Sequence, residues 1–159
     1  MRKSIAYGAA TSQGDWPVQE DGYFVDPVAG AFALADGFGG RGAGDLAART
    51  LLQEARAKSR EFPSQAEQFR QIFDEWNGKL LTWNNSRAPS RRGGCSLVTG
   101  SIANSGRATL AGVGTNAVFL LRSGAMHVLL SPQSAPRAYP GAPLLPDQPG
   151  GRQHGEMLG

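Results

Sequence analysis

Glu20, Asp21 and Asp36 are the residues in this chain most able to do chemistry, and Asp36 opens a glycine-rich run, Asp36-Gly37-Phe38-Gly39-Gly40-Arg41-Gly42-Ala43-Gly44-Asp45. An aspartate at the end of an apolar strand is a ready metal ligand. The glycines after it let the backbone turn sharply and approach whatever that carboxylate holds, because no side chains stand in the way. A plain turn between a core strand and a helix uses the same residues. A phosphate cradle for a nucleotide is a third use, but there is no Gly-Lys-Ser/Thr and the spacing is not Gly-x-Gly-x-x-Gly. Glu20-Asp21 precedes a second strand-like segment, so two short strands in series can deliver all three carboxylates to one rim.

The elements that must position them alternate in type. Ser4 to Ser12, Gly22 to Asp26 and Ala31 to Asp36 read as strands, punctuated by Gly14, Pro27 and Gly30. Gly44 to Arg60 reads as a helix, its stripe Ala48, Leu51, Leu52, Ala55 carrying the spacing of a buried face. A second helix is expected from about Ser64, where Glu67 suggests a capping box. Phe69, Ile72, Phe73, Trp76, Leu80 and Trp83 hold helical spacing and read as core. After a loop at 86 to 94, strands are expected at Cys95 to Ala103, Ala108 to Gly114, Val118 to Arg122 and Met126 to Leu130. From Ser131 onward, six prolines and five glycines in 29 residues break both periodicities and predict an irregular tail.

Two of these segments carry a family resemblance. Gln19-Glu20-Asp21-Gly22-Tyr23-Phe24 resembles the first motif of the metal-dependent PP2C (PPM-type) protein serine/threonine phosphatases, and Asp36-Gly37-Phe38-Gly39-Gly40 resembles the second. Gly94-Cys95-Ser96-Leu97-Val98 and Ala111-Gly112-Val113-Gly114 with Val118 to Gly124 follow in family order. The resemblance covers residues 4 to 134. It implies an α+β fold, an α-β-β-α sandwich of two antiparallel sheets flanked by helices, with residues 1–134 forming a partial phosphatase domain and 135–159 a Pro/Gly-rich irregular tail.

The resemblance also implies chemistry. Magnesium or manganese would be held by Glu20, Asp21, Asp36 and the Gly37 carbonyl, oxygen donors suited to hard cations. Asp36 would bridge two ions that activate water for in-line attack on phosphoserine or phosphothreonine, and Asp21 would hold metal-bound water or support the shell. Asp36 and Asp21 are therefore the catalytic candidates. Neither His127 nor His154 has a partner at metal-ligand spacing, which argues against zinc.

The chain departs from the pattern in several places. Trp16 stands where the family commonly has a phosphate-gripping arginine, and Gly114-Thr115-Asn116-Ala117 replaces Gly-Asp-Ser-Arg. Pro132-Gln133-Ser134 replaces Asp-His-Ser, and past Gly124 the acidic residues are Asp147 and Glu156, neither in the family's late aspartate motifs. Two readings follow: a phosphatase with an incomplete binuclear site, weak or inactive as this chain alone, or a non-catalytic pseudophosphatase acting as a regulatory or phosphoprotein-binding module.

Composition sets the remaining expectations. The 159 residues are 40% hydrophobic and carry a net charge of +3, which suits one domain with a sizeable core. Arg87, Arg91 and Arg92 form a basic cluster without interleaved aromatics, so no nucleic-acid partner is expected. No apolar run is long enough to span a membrane. The single Cys95 suits a cytoplasmic protein and reads as a small buried hydrophobe. The expected partners are a phosphorylated protein substrate or a regulatory protein, with self-association through open sheet edges as a further expectation.

Overall fold

A computed structural model describes residues 5–39 and 42–133. Its centre is a four-stranded antiparallel sheet in the order β1-β2-β3-β4, made of β1 (Asp21–Asp26), β2 (Ala31–Gly39), β3 (Gly93–Ile102) and β4 (Ala108–Val113). Strands β5 (Val118–Arg122) and β6 (Ala125–Leu130) form a separate two-stranded sheet. Helices α1 (Ala43–Ala57) and α2 (Phe69–Asn85) lie between β2 and β3 in sequence. The architecture is α+β with two antiparallel sheets, as expected. The expected tail at 135–159 lies outside the described residues.

Alternation along the strands assigns the two faces of the larger sheet. Phe24, Ala33, Ala35, Leu97 and Val113 point toward the helices, where they join Ala47, Ala48, Leu51, Ala55, Trp76 and Leu80 in one buried cluster. The α1 stripe consists of Ala43, Gly44, Ala47, Ala48, Leu51 and Ala55, and its small side chains let the helix axis approach the sheet closely. Helix α2 packs its aromatic side behind that layer, with Phe62, Phe69, Phe73 and Trp76 in successive ring contact at 5.5, 6.3 and 6.0 Å. Asn84 at the end of α2 ties the helix to the start of β3, its Nδ2 donating to the Gly93 carbonyl at 2.8 Å and its Oδ1 accepting from the Gly93 N–H at 3.0 Å.

Four expectations need correction. The segment expected as a strand from Ser4 to Ser12 has no strand pairing over its described residues 5–12; Ile5 and Tyr7 remain exposed, and β-type composition forms no strand without a partner's hydrogen bonds. The glycine-rich run does not turn at Asp36. Strand β2 continues to Gly39, with Gly37, Phe38 and Gly39 opposite Cys95, Gly94 and Gly93. The capping box at Ser64 does not form; the Ser64 carbonyl accepts the Thr109 hydroxyl at 3.0 Å, and a 3-10 turn at Ala66–Gln68 leads into α2. The first helix ends at Ala57 rather than Arg60, and a separate 3-10 turn follows at Ser59–Glu61. Among the described residues, no helix is long and apolar enough to cross a membrane.

Candidate metal centre

Register brings the acidic residues together. Asp21, the first residue of β1, is the cross-strand partner of Asp36 in β2, and Asp36 is in turn the partner of Ser96 in β3. All three lie on the sheet face turned away from the helices. Their edge opens into a cleft of about 810 Å³ whose lining includes Trp16, Gln19, Glu20, Asp21, Asp36 and Phe38. Trp16 is 77% exposed there.

Burial raises the Asp36 carboxyl above the usual carboxylate range, and the neighbouring Asp21 charge adds to the effect. A hydrogen bond from Thr115 Oγ1 to Asp36 Oδ2, at 3.4 Å, works in the opposite direction. Thr115 itself is fixed by Ser96: the hydroxyls are 3.0 Å apart, and the Thr115 N–H donates to Ser96 Oγ at 3.1 Å. The Cys95 thiol, wholly buried beside this group, is pushed up to about 12, first by burial and then by the Asp36 charge. A thiol so protonated at neutral pH is no nucleophile, consistent with its reading as a packing residue.

Glu20 takes a different position. Successive side chains of an extended chain point to opposite faces, so Asp21 joins Asp36 while the Glu20 carboxylate meets the first turn of α1, accepting from the backbone N–H groups of Asp45 and Gly44. Gly42, the residue that precedes α1, has no side chain to satisfy those donors, and Glu20 does so from another segment. Burial nonetheless pushes the Glu20 carboxyl up, with help from Asp45 and Asp21. Glu20, Asp21 and Asp36 all line the one cleft, and Glu20 lies at the same time against the start of α1. Among the described residues, no three His, Cys, Asp or Glu side chains form a metal-holding group.

Gly37 has a packing role that the glycine pattern alone did not specify. A Cβ at Gly37 would lie 2.2 Å from the Gly44 carbonyl oxygen and 2.7 Å from that of Glu20, and the Gly37 N–H donates to the Glu20 carbonyl at 3.0 Å. A Cβ at Gly44 would meet the Gly37 carbonyl carbon at 2.7 Å and Glu20 Oε2 at 2.8 Å. These glycines let the end of β2, the Glu20 backbone and the start of α1 cross within van der Waals distance. Ser96 and Thr115 were not among the sequence candidates. A usable signal was the Gly114-Thr115 pair, since Gly114 takes φ +92° and a Cβ there would lie 2.5 Å from Ser96 Oγ.

The donor set fits one hard cation held by few protein ligands. Asp21, Asp36 and a backbone carbonyl are oxygen donors of the right type, and neighbouring carboxylates are relieved by a cation between them.

Comparison with solved structures bears on the fold. The chain superimposes on the Mycobacterium tuberculosis serine/threonine phosphatase PstP/Ppp with a TM-score of 0.64 and 20% identity, over 74% of this chain and 49% of that one. The fold is PP2C-like. The catalytic domain of PstP in complex with two manganese ions gives the same TM-score and identity, over 74% and 50% of the two chains. PppA, a regulatory component of the type VI secretion system in Pseudomonas aeruginosa, matches with a TM-score of 0.59 and 25% identity over 72% of this chain and 50% of that one. The PP2C-like chain thus spans about half the length of these structures, corresponding to an N-terminal portion of the phosphatase fold. No family model matches the chain, and no curated protein sequence does.

Proposed function

We propose that the cleft is a PP2C-type phosphoester site in which Asp21, Asp36 and the Gly37 carbonyl hold magnesium or manganese, directed at phosphoserine or phosphothreonine in a protein. The observation that carries this reading is Asp21 opposite Asp36 at the edge of an open cleft, in a fold shared with a manganese-bound phosphatase domain. A divalent ion bound there supplies charge neutralisation and an acidified water for attack on phosphorus. Asp36 is oriented by the Thr115 hydroxyl, and Asp21 contributes the second charge. Glu20 keeps α1 in place, and would join the cation only by giving up its hydrogen bonds to the helix. The free, buried Cys95 supports a cytoplasmic setting for this activity.

Turnover by this chain alone is expected to be low. Two carboxylates and a carbonyl leave most ligand places to water, and no Lys or Arg is found among the described residues lining the cleft. Trp16 and Thr115 also favour a second reading, a non-catalytic module that binds a phosphoprotein or a regulatory partner. The test is a calorimetric manganese titration of wild type and Asp36→Asn, paired with hydrolysis of a phosphothreonine peptide. Weak binding lost in Asp36→Asn, with turnover far below the usual enzyme median of about 10 per second, is expected. Identical titration traces remove the metal assignment. Turnover near the median overturns the low-activity reading, and metal binding with no turnover selects the non-catalytic one. Trp16→Arg alone is expected not to restore activity.

A further inference from the structure

Thr115 lies in the loop after β4, far in sequence from Asp36, yet its hydroxyl reaches the Asp36 carboxylate. A threonine hydroxyl carries one proton. Donated to Asp36 Oδ2, that proton cannot also serve Ser96, so the 3.0 Å contact between the two hydroxyls runs from Ser96 to Thr115. Ser96 Oγ meanwhile accepts the Thr115 N–H at 3.1 Å. With Thr115 donating to Asp36 at 3.4 Å, the proton count gives the chain a direction: Ser96 O–H to Thr115 O–H to Asp36.

The surroundings hold this chain in register. Ser96 is 1% exposed and sits directly across from Asp36 in the sheet. Gly114 brings Thr115 onto Ser96 through a left-handed backbone with no room for a Cβ. Gln133 clamps the same corner from the other side, its Oε1 accepting from the Gly114 N–H and its own N–H donating to the Gly114 carbonyl, both at 2.8 Å. Thr115 is exposed, so its burial explains none of this order.

We propose that Ser96 and Thr115 form a directional hydroxyl relay that positions the Asp36 carboxylate, with Thr115 the positioning residue and Ser96 its anchor. The relay fixes Oδ2 and thereby the plane in which the carboxylate meets Asp21 and the cleft. Its consequence for a cation rests on the proposed role of Asp36 in holding one; its consequence for Asp36 itself does not.

The experiment compares wild type, Thr115→Val and Thr115→Ser in two measurements: the Asp36 Cγ signal in metal-free, 13C-aspartate-labelled protein, and the manganese dissociation constant. Valine keeps the shape and removes the hydroxyl, whereas serine keeps the hydroxyl. The expected result is an altered Asp36 signal and about tenfold weaker manganese binding in Thr115→Val, the size typical of losing an outer hydrogen-bond partner, with both values restored in Thr115→Ser. Ser96→Ala breaks the chain one link earlier and is expected to give a smaller change of the same sign. An Asp36 signal indifferent to valine overturns the relay, whether or not manganese binds. A relay visible at Asp36 in a protein that binds no manganese supports the relay and removes the metal reading.

Discussion

The two faces of the four-stranded sheet differ in almost every physical respect. On the helix side, Ala33, Ala35, Leu51, Trp76, Leu80 and Leu97 are 3% exposed or less, glycines are placed for close backbone contact, and Asn84 satisfies the first backbone groups of β3. On the other side, Tyr23 and Leu34 are each 43% exposed, two aspartates oppose each other, and a hydroxyl pair is spent on one of them. The contrast shows that alternate residues of the same strands do separate work. Ala35 packs against α1 while Asp36, its neighbour, faces the cleft. One face supplies stability, and the other carries the unfavourable proximity of Asp21 to Asp36.

The largest break in that contrast is Trp76→Ala. Trp76 is fully buried in the helix-side cluster, and truncating a core aromatic costs about 3–5 kcal/mol through lost burial and the remaining cavity. Chemical denaturation is expected to show this loss; a change below about 1 kcal/mol would mean that the helix face is not the seat of stability. Next is Gly37→Ala, expected to cost about 1–3 kcal/mol by overpacking, since the added carbon meets backbone rather than a side chain that can move. Unfolding would show whether the carbon is accommodated without loss.

The helix face was the more legible of the two in sequence. The helical spacing of Ala48, Leu51 and Ala55 points inward by local geometry alone, and the structure places them there; the run Ala31 to Ala35 reads as a strand but is apolar at every position, so its inward face is set by where the helices pack. The meeting of Asp21 and Asp36 across two strands was legible because both motifs end or begin apolar strands. The contact of Glu20 with the start of α1 was not legible, because it depends on where that helix docks, nor was that of Thr115, whose partner lies in a distant strand. Residues 5–12 show the same limit: their composition suits a strand, but pairing is a property of the neighbour as much as of the segment. The glycines of β2 were read as a turn because sequence shows conformational freedom and not the backbone crossing that uses it.

Asp36→Asn tests the cleft side with a smaller effect of opposite sign. The folded-state pKa of Asp36 is raised by burial and by Asp21, so the folded protein holds the proton more tightly than the unfolded chain does. Stability is therefore lost as pH rises from the unfolded value, 3.8, through the raised folded value. Asparagine carries no such charge. Without metal, Asp36→Asn is expected to be at least as stable as wild type at neutral pH, with the difference vanishing below pH 3.8. Thermal melts across that range measure it, and a variant less stable at pH 7 would show that the Asp36 charge is compensated within the fold.

The smallest effect on stability, and the sharpest separation of the two regions, is expected from Leu121→Lys in β5. Phe119 and Leu121 are opposite Val128 and Met126 in the β5–β6 register, and these four side chains are 55%, 74%, 57% and 69% exposed. They form a continuous apolar strip on a two-stranded sheet whose outer edges have no strand partner among the described residues. Strips of this kind mark contact surfaces, and free strand edges recruit further strands. Because the strip buries little within the chain, a lysine there should change folding stability by no more than about 0.5 kcal/mol. The same lysine places a charge on any interface built on that strip. We expect light scattering to show concentration-dependent association of the wild type that Leu121→Lys reduces, with superimposable thermal melts at low concentration. A large drop in the melting temperature would instead mean that the strip is part of the chain's own core, and a wild type monomeric at every concentration would show that it faces something other than a second copy.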